Sequence, residues 1–257
     1  ILHLKDINMR NPIRCSNLLR KYSLVCLVTS IFMIQAHAAS LQVAPILLEF
    51  SPQEKVKELW LTNTGSDEIR GQVRVNYWTQ NNNQDVITPT KDLIASPMVL
   101  TIPAGQRQLV RLIRSANNNL SSEQAYRLIV DELPNPKTEE KSGLQLLLKY
   151  SIPVFFKTSH INAVDQGLTS LKGMTFKYTD HQLLVINKTT SYKRFSQFAY
   201  VDSQGKKTPI QMGLMGYVLN GQSMQWPIPK QLNIQPTGKF VAVVNMDVRE
   251  QILQVAH

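Results

Sequence analysis

The sequence predicts an all-β protein made of two immunoglobulin-like β-sandwich domains. Three observations carry this. Short runs in which apolar and polar residues alternate with period 2 recur along the chain, clusters of Asn, Gly, Pro and Ser separate them, and no stretch of helical period is long enough to compete. The most regular run spans residues 143–157, where Leu144, Leu146, Leu148, Tyr150, Ile152, Val154 and Phe156 stand at every second position. Such a strand presents one continuous apolar rail, and Pro153 inside it points to a sheet edge, where a missing N–H is tolerated. An apolar edge is either buried in its own core or a docking site for β-structure from another chain. On these residues alone an ordinary core strand is the simpler reading.

The first 38 residues read as an export leader with upstream residues. Met9 is the expected start, Arg10, Arg14, Arg20 and Lys21 form a basic region, residues 24–34 are apolar, and Ala36-His37-Ala38 has the pattern of a cleavage site. The apolar run falls short of the roughly 20 residues a membrane span needs, so removal is expected and stable membrane insertion is not. Residues 39–257 suffice for two domains of about 100 residues each, expected at 39–158 and 159–257. Both cysteines, Cys15 and Cys26, lie in the leader, so disulfide, thiolate and Cys-metal chemistry are not expected beyond it. From Ala39 onward 23 basic and 17 acidic residues leave a net charge of +6, without a basic run, which gives no reason to expect a nucleic-acid partner.

In chain order, residues 41–50, 57–63 and 71–78 read as three strands, with Asn63-Thr-Gly65 and the Asn81–Asp85 run as turns. Residues 98–102 and 106–115, around Pro103-Ala-Gly105, add two more; residues 125–133 are the sixth and the rail is the seventh, the number an immunoglobulin-like sandwich needs. Polar residues at 157–166 mark the link to the second half. There residues 174–178, 183–187, 192–202, 224–228 and 240–247 read as strands, with Ser203-Gln-Gly205, Asn220-Gly221 and Pro236-Thr-Gly238 as turns.

Motifs for catalysis are missing from the sequence. His160, His181 and His257 stand at no metal-ligand spacing, no nucleophile elbow or phosphate loop occurs, and Glu139-Glu140 sits in a polar run. Neither a cofactor nor a metal is expected. More informative are arginines set in apolar strands: Arg127 within Tyr126-Arg-Leu-Ile-Val130, and Arg107, Arg111 and Arg114 within residues 106–115. If Tyr126, Leu128 and Val130 face the core, Arg127 faces outward beside the rail, where a guanidinium can grip a carboxylate in bidentate fashion. A solvated outer face is the plainer alternative for each.

Taken together, Leu41-Gln-Val-Ala-Pro45, Leu59-Trp-Leu-Thr-Asn63, Pro103-Ala-Gly-Gln-Arg107, Tyr126-Arg-Leu-Ile-Val-Asp-Glu-Leu-Pro134 and Leu144-Gln-Leu-Leu-Leu148 with Ile152-Pro-Val-Phe-Phe156 resemble the periplasmic pilus-assembly chaperones of the PapD-like family. The resemblance spans residues 40–157, while the second domain matches mainly in size and around Asn245-Met-Asp247. It implies a boomerang of two immunoglobulin-like domains in the periplasm that caps pilin subunits by donor-strand complementation and delivers them to an outer-membrane usher. Leu144, Leu146 and Leu148 fall at the donor positions, with Tyr150 next in the row. Better-known members hold the subunit's terminal carboxylate with an arginine on the first strand and a lysine late in the donor strand. Here residues 41–54 hold neither Lys nor Arg, and Pro153 occupies the lysine position. This pattern resembles the archaic branch and implies a relocated anchor, with Arg127 the first candidate and Arg111 the second. The family's interdomain ion cluster maps onto Glu132, Lys157 and Asp247. The competing readings are a secreted pilus subunit or adhesin of the same fold and, last, an exported hydrolase.

Overall fold

A computed structural model describes residues 41–115, 120–134, 146–158 and 171–256. The leader, Leu144, His160, His257 and Glu139-Glu140 lie outside these residues. Among them every regular element is a strand, and no helix is long and apolar enough to cross a membrane.

The first ten strands build one sandwich: β1 (Leu41–Ala44), β2 (Leu48–Phe50), β3 (Val56–Asn63), β4 (Ile69–Asn81), β5 (Gln84–Pro89), β6 (Leu93–Ser96), β7 (Val99–Ile102), β8 (Arg107–Arg114), β9 (Gln124–Leu133) and β10 (Lys149–Phe156). One sheet has the order β1-β3-β8-β6, and the facing sheet β2-β10-β9-β4-β5 with β7 also on β4. The run 41–50 expected as one strand is two. It pairs with β3 up to Ala44, turns at Pro45, and joins β10 in the other sheet from Leu48, so this segment ties the two sheets together. Alternation places Leu59, Leu61, Val110, Leu112, Tyr126, Leu128 and Val130 in the core between the sheets, each at most 1% exposed.

The second sandwich comprises β11 (Met174–Thr179), β12 (Gln182–Asn187), β13 (Lys193–Val201), β14 (Lys207–Val218), β15 (Ser223–Pro227), β16 (Lys239–Val244), β17 (Glu250–Leu253) and β18 (Val255–Ala256), in sheets β15-β12-β11-β18 and β14-β13-β16-β17. Its core centres on Phe195, Phe198, Phe240 and Val244. β14 escaped the sequence reading. Its pairing with β13 shifts register repeatedly around Phe195 to Ala199, with Gln197 at positive φ, so no clean period of 2 survives in its sequence.

Each sandwich carries the same corner. Asn63, wholly buried at the end of β3, accepts the Gly65 N–H at 2.9 Å and donates to the carbonyls of Asp67 and Ile102 at 2.8 and 2.9 Å. Asn187, wholly buried at the end of β12, accepts the Thr189 N–H at 2.9 Å and donates to the carbonyls of Ser191 and Val218 at 2.8 and 3.0 Å. One amide thus closes the turn and pins a neighbouring strand, satisfying buried backbone groups that would otherwise be costly.

Candidate functional site

The rail enters the first sandwich as β10, and this strand pairs with β9, antiparallel, from Lys149 opposite Asp131 to Phe156 opposite Gln124. On its other side β2 covers only Val154 to Phe156, so among the described residues the backbone edge ahead of Pro153 is open. Which residues face that edge follows from two hydrogen bonds. The Glu132 N–H donates to the Leu148 carbonyl on the β9 side, and the Lys157 N–H donates to the Phe50 carbonyl on the β2 side, both at 2.9 Å. Bonding direction alternates along a strand, so even-numbered residues bond to β9 while Leu147, Lys149 and Ser151 address the open edge and Pro153 stands where β2 begins to cover it.

The apolar side chains of the row pass from free to buried in step with this. Leu146 is 74% exposed, Leu148 and Tyr150 are half-buried against the core, and Ile152 is 3% exposed. The Tyr150 hydroxyl donates to the Leu41 carbonyl at 2.5 Å, which ties the strand to β1. A 74% exposed leucine beside backbone that no described strand pairs is a feature proteins avoid unless a partner strand covers it.

Arg127 lies opposite Pro153 in β9 and opposite Asn76 in β4, on the outer face of the sheet as alternation required. Its guanidinium carbon sits 3.7 Å from the Trp78 ring centre and 5.4 Å from that of Tyr217, which belongs to the second sandwich. Burial pulls its pKa below the usual arginine range, offset in part by Asp85 and Tyr217. Among the described residues no carboxylate stands within salt-bridge distance of it. Arg111 is elsewhere. It is exposed on β8 in the other sheet, across from Glu58 and Ser96, and the fold does not bring it to the β10 edge.

The ion cluster differs from the expected triad. Lys157 is in it, with Nζ 2.8 Å from Glu123 and 2.9 Å from Glu49, but Glu132 and Asp247 are not its partners. The reason is register: in the β9–β10 pair residue numbers sum to a constant, which sets Lys157 against Glu123 and leaves Glu132 nine positions up the strand, about 30 Å away. Glu132 instead accepts the Leu148 N–H at 3.3 Å at the start of the rail. Asp247 caps its own turn, accepting the Arg249 N–H at 3.2 Å.

This cluster reaches across to the second sandwich. Glu123, whose side chain is 2% exposed, accepts the Tyr192 N–H at 2.7 Å, and the Tyr192 hydroxyl donates to Glu49 at 3.0 Å. Burial pushes the Glu123 carboxyl up, against the pull of Lys157; for Lys157 burial acts downward, but Glu123 and Glu49 outweigh it and hold the ammonium up.

Beside the ions lies an apolar cluster of Trp78, Ala125, Phe155, Tyr192, Tyr217 and Leu219, with Phe155 and Tyr192 stacked at 3.7 Å. Gln80, 4% exposed, completes the contact: it donates to the Tyr217 carbonyl and accepts the Leu219 N–H, both at 2.9 Å. The Asn82-Asn83 turn joining β4 and β5, both residues at positive φ, also reaches over, with Asn83 accepting from Ser223 at 2.9 Å. Sequence reading missed Trp78, Gln80, Glu123 and Tyr192. The only available signal was bulky aromatic and amide side chains on strand faces that would otherwise meet water.

Nothing in this arrangement supplies a nucleophile with a base. His181 occupies a turn with Nδ1 3.4 Å from the Tyr178 hydroxyl, and no cluster of metal-ligating side chains occurs among the described residues. What the site offers is an open, apolar strand edge next to a half-buried cation.

The family described as "Pili and flagellar-assembly chaperone, PapD N-terminal domain" matches residues 40–162. Similar solved structures include a chain of the CsuC-CsuE chaperone-tip adhesion subunit pre-assembly complex from archaic chaperone-usher Csu pili of Acinetobacter baumannii, at 25% identity and a TM-score of 0.63 over 84% of this chain and 98% of that one. The E. coli chaperone DraB aligns at 15% identity and a TM-score of 0.58 over 84% and 97% of the two chains. The Salmonella enterica SafA pilin complex with the SafB chaperone aligns at 15% and 0.58 over 81% and 92%. At 15% the last two speak to the fold alone. No curated protein matches the chain.

Proposed function

The chain belongs to the PapD-like family of pilus-assembly chaperones, carrying that family's N-terminal domain at residues 40–162, and from this membership we propose that it is a periplasmic chaperone that caps pilin subunits by lending them its rail and hands them to an outer-membrane usher. The observation that carries the reading is the open β10 edge, with Leu146 standing 74% exposed three residues ahead of the strand. A partner that lacks a strand gains backbone hydrogen bonds from Leu147, Lys149 and Ser151, and pockets for Leu146 and Leu148 give it selectivity; Leu144 extends the same row in sequence. The A. baumannii chaperone was solved with a tip adhesion subunit, which supports a subunit of that class as the partner here. Resemblance of the anchor pattern and the 25% identity to the Csu chaperone complex support the archaic branch.

Arg127 is the anchor we favour for a subunit's terminal carboxylate. It lies level with Pro153, where the open edge ends, it is half-buried, and the aromatic faces of Trp78 and Tyr217 hold its guanidinium while leaving N–H donors to spend.

Co-expression with candidate pilins followed by size-exclusion chromatography tests the reading. A soluble complex with one copy of each chain is expected, and Leu146→Arg abolishes it while the free protein melts as the parent does, because nothing buries that side chain until a partner docks. Polymers of this chain alone would favour the structural-subunit reading, and loss of cooperative melting in free Leu146→Arg would make the rail part of the core.

A further inference from the structure

Two cations approach Tyr217 at the junction of the sandwiches, and only one of them belongs to the sheet that carries the rail. Arg127 comes from β9, its guanidinium carbon 5.4 Å from the Tyr217 ring centre. Arg194 comes from the second sandwich, where it stands opposite Tyr217 in the β13–β14 pair. Its Nη1 donates to the Asn245 carbonyl at 2.9 Å and its backbone N–H to the Asn245 side chain at 2.8 Å, which holds it against the turn after β16. Burial pushes the Tyr217 hydroxyl up in pKa, and both arginines pull against that, Arg194 the more strongly and from hydrogen-bonding range. Tyr217 is buried and both arginines are half-buried around it.

Like charges gathered out of water repel each other, and a fold offsets that cost with an anion. Among the described residues no carboxylate stands within salt-bridge distance of either arginine. Asp85, the acid that acts on Arg127 from further off, already accepts the Trp78 Nε1–H and the Gln80 amide, both at 2.9 Å. A guanidinium has five N–H donors, so both arginines keep donors to spend. The turn that Arg194 holds also carries Met246 and Val248, 75% and 92% exposed, an apolar surface that a peptide end can use and an inorganic anion cannot.

We infer that Arg194 completes the anchor: with Arg127 it forms one clamp, built from both sandwiches, for the terminal carboxylate of a captured chain. This rests on the docking reading above and deepens it. A carboxylate has two oxygens with about four acceptor sites, so one oxygen can meet each guanidinium. Capture then ties the two sandwiches together, and the second takes part in holding the subunit instead of only bracing the first.

The test needs no pilin. The probes are the peptide N-acetyl-Thr-Val-Thr-Val with a free terminal carboxylate, the same peptide ending in an amide, and inorganic phosphate. Each is titrated into protein labelled with nitrogen-15 at arginine, the Nε–H signals being assigned with Arg127→Lys and Arg194→Lys. Both signals should follow one binding curve with the carboxylate peptide, and the amide should bind roughly a hundredfold more weakly, about tenfold for each charge-assisted contact. Arg194→Met should cut this preference about tenfold. Arg194→Gln, which can still bond the Asn245 carbonyl, should do the same and covers the case in which Arg194→Met folds poorly. If Arg194 only tethers its turn, both variants weaken the two peptides alike and the preference stays, which overturns the clamp. A shift of the Arg127 signal alone, or of neither signal, overturns it too, and a response to phosphate equal to that of the carboxylate peptide overturns the assignment to a chain end. A clamp that passes with no pilin recovered on co-expression removes the docking reading and leaves the carboxylate site standing; pilin capture indifferent to Arg194→Met removes the clamp and leaves docking.

Discussion

Lys157→Met removes the cation from a carboxylate that has nowhere else to go. Glu123 is 2% exposed, and Lys157 stands 2.8 Å from it; Glu49, the other partner, is a third exposed and contributes little to the cost of losing the pair. Breaking a buried pair from one side costs about 3–5 kcal/mol. At pH 7 a ceiling applies, because Glu123 can escape ionisation by taking a proton. Against an unfolded value near 4.3 that uptake costs about 1.36 kcal/mol for each of about 2.7 pH units, or roughly 3.7 kcal/mol. The expected loss is therefore about 3–4 kcal/mol at pH 7 and about 1 kcal/mol at pH 5. The sign follows from linkage. In the variant the folded-state pKa of Glu123 is raised further above its unfolded value, so the native state binds more protons between the two values and stability falls as pH rises through that window. Urea unfolding followed by Trp fluorescence, at pH 5, 6 and 7, measures the slope, and Trp78 reports from inside the contact. Adding Glu123→Gln should recover about 2–3 kcal/mol at pH 7 by removing the charge. A loss that is the same at pH 5 and pH 7, and is not relieved by Glu123→Gln, would refute the ionic account and leave packing of the Lys157 stem on Tyr192, 4.6 Å from its ring, as the cause.

In the parent, the raised pKa of Lys157 adds stability that is whole below about pH 10.4 and disappears as pH climbs through the folded value, so parent and Lys157→Met melting curves should converge in strong alkali. Arg127→Ala should cut pilin capture at least tenfold in a pull-down, with Arg127→Lys a partial rescue and Arg111→Ala near the parent; equal capture by Arg127→Ala would remove it as the anchor. Gln80→Ala leaves the Leu219 N–H and the Tyr217 carbonyl without their buried partner and should cost about 2–4 kcal/mol, with faster proteolysis between the sandwiches, whereas unchanged melting and cleavage would mean water replaces the amide.

Much of this was legible in the residues. The period-2 rail, the turn residues and the outward set of Arg127 are local properties: alternation decides which face a side chain takes, and Tyr126, Leu128 and Val130 left Arg127 no other. That Lys157 belongs to an ion cluster came from the family resemblance, which grouped it with Glu132 and Asp247. Its partners could not be read, because a strand's sequence says which residues alternate and not which residue of another strand stands opposite. Only the β9–β10 register brings Glu123 to Lys157 and carries Glu132 to the far end. The same limit hid the cluster of Trp78, Phe155, Tyr192 and Tyr217. Trp78 and Phe155 occupy strand positions that read as solvent-facing, and they become core only because a second sandwich, more than thirty residues further along the chain, lays its own aromatic residues on them. Period and turn chemistry are set within a few residues of backbone, whereas register and the burial of an outer face depend on free energy gained between segments distant in sequence, and that is settled only when the chain packs.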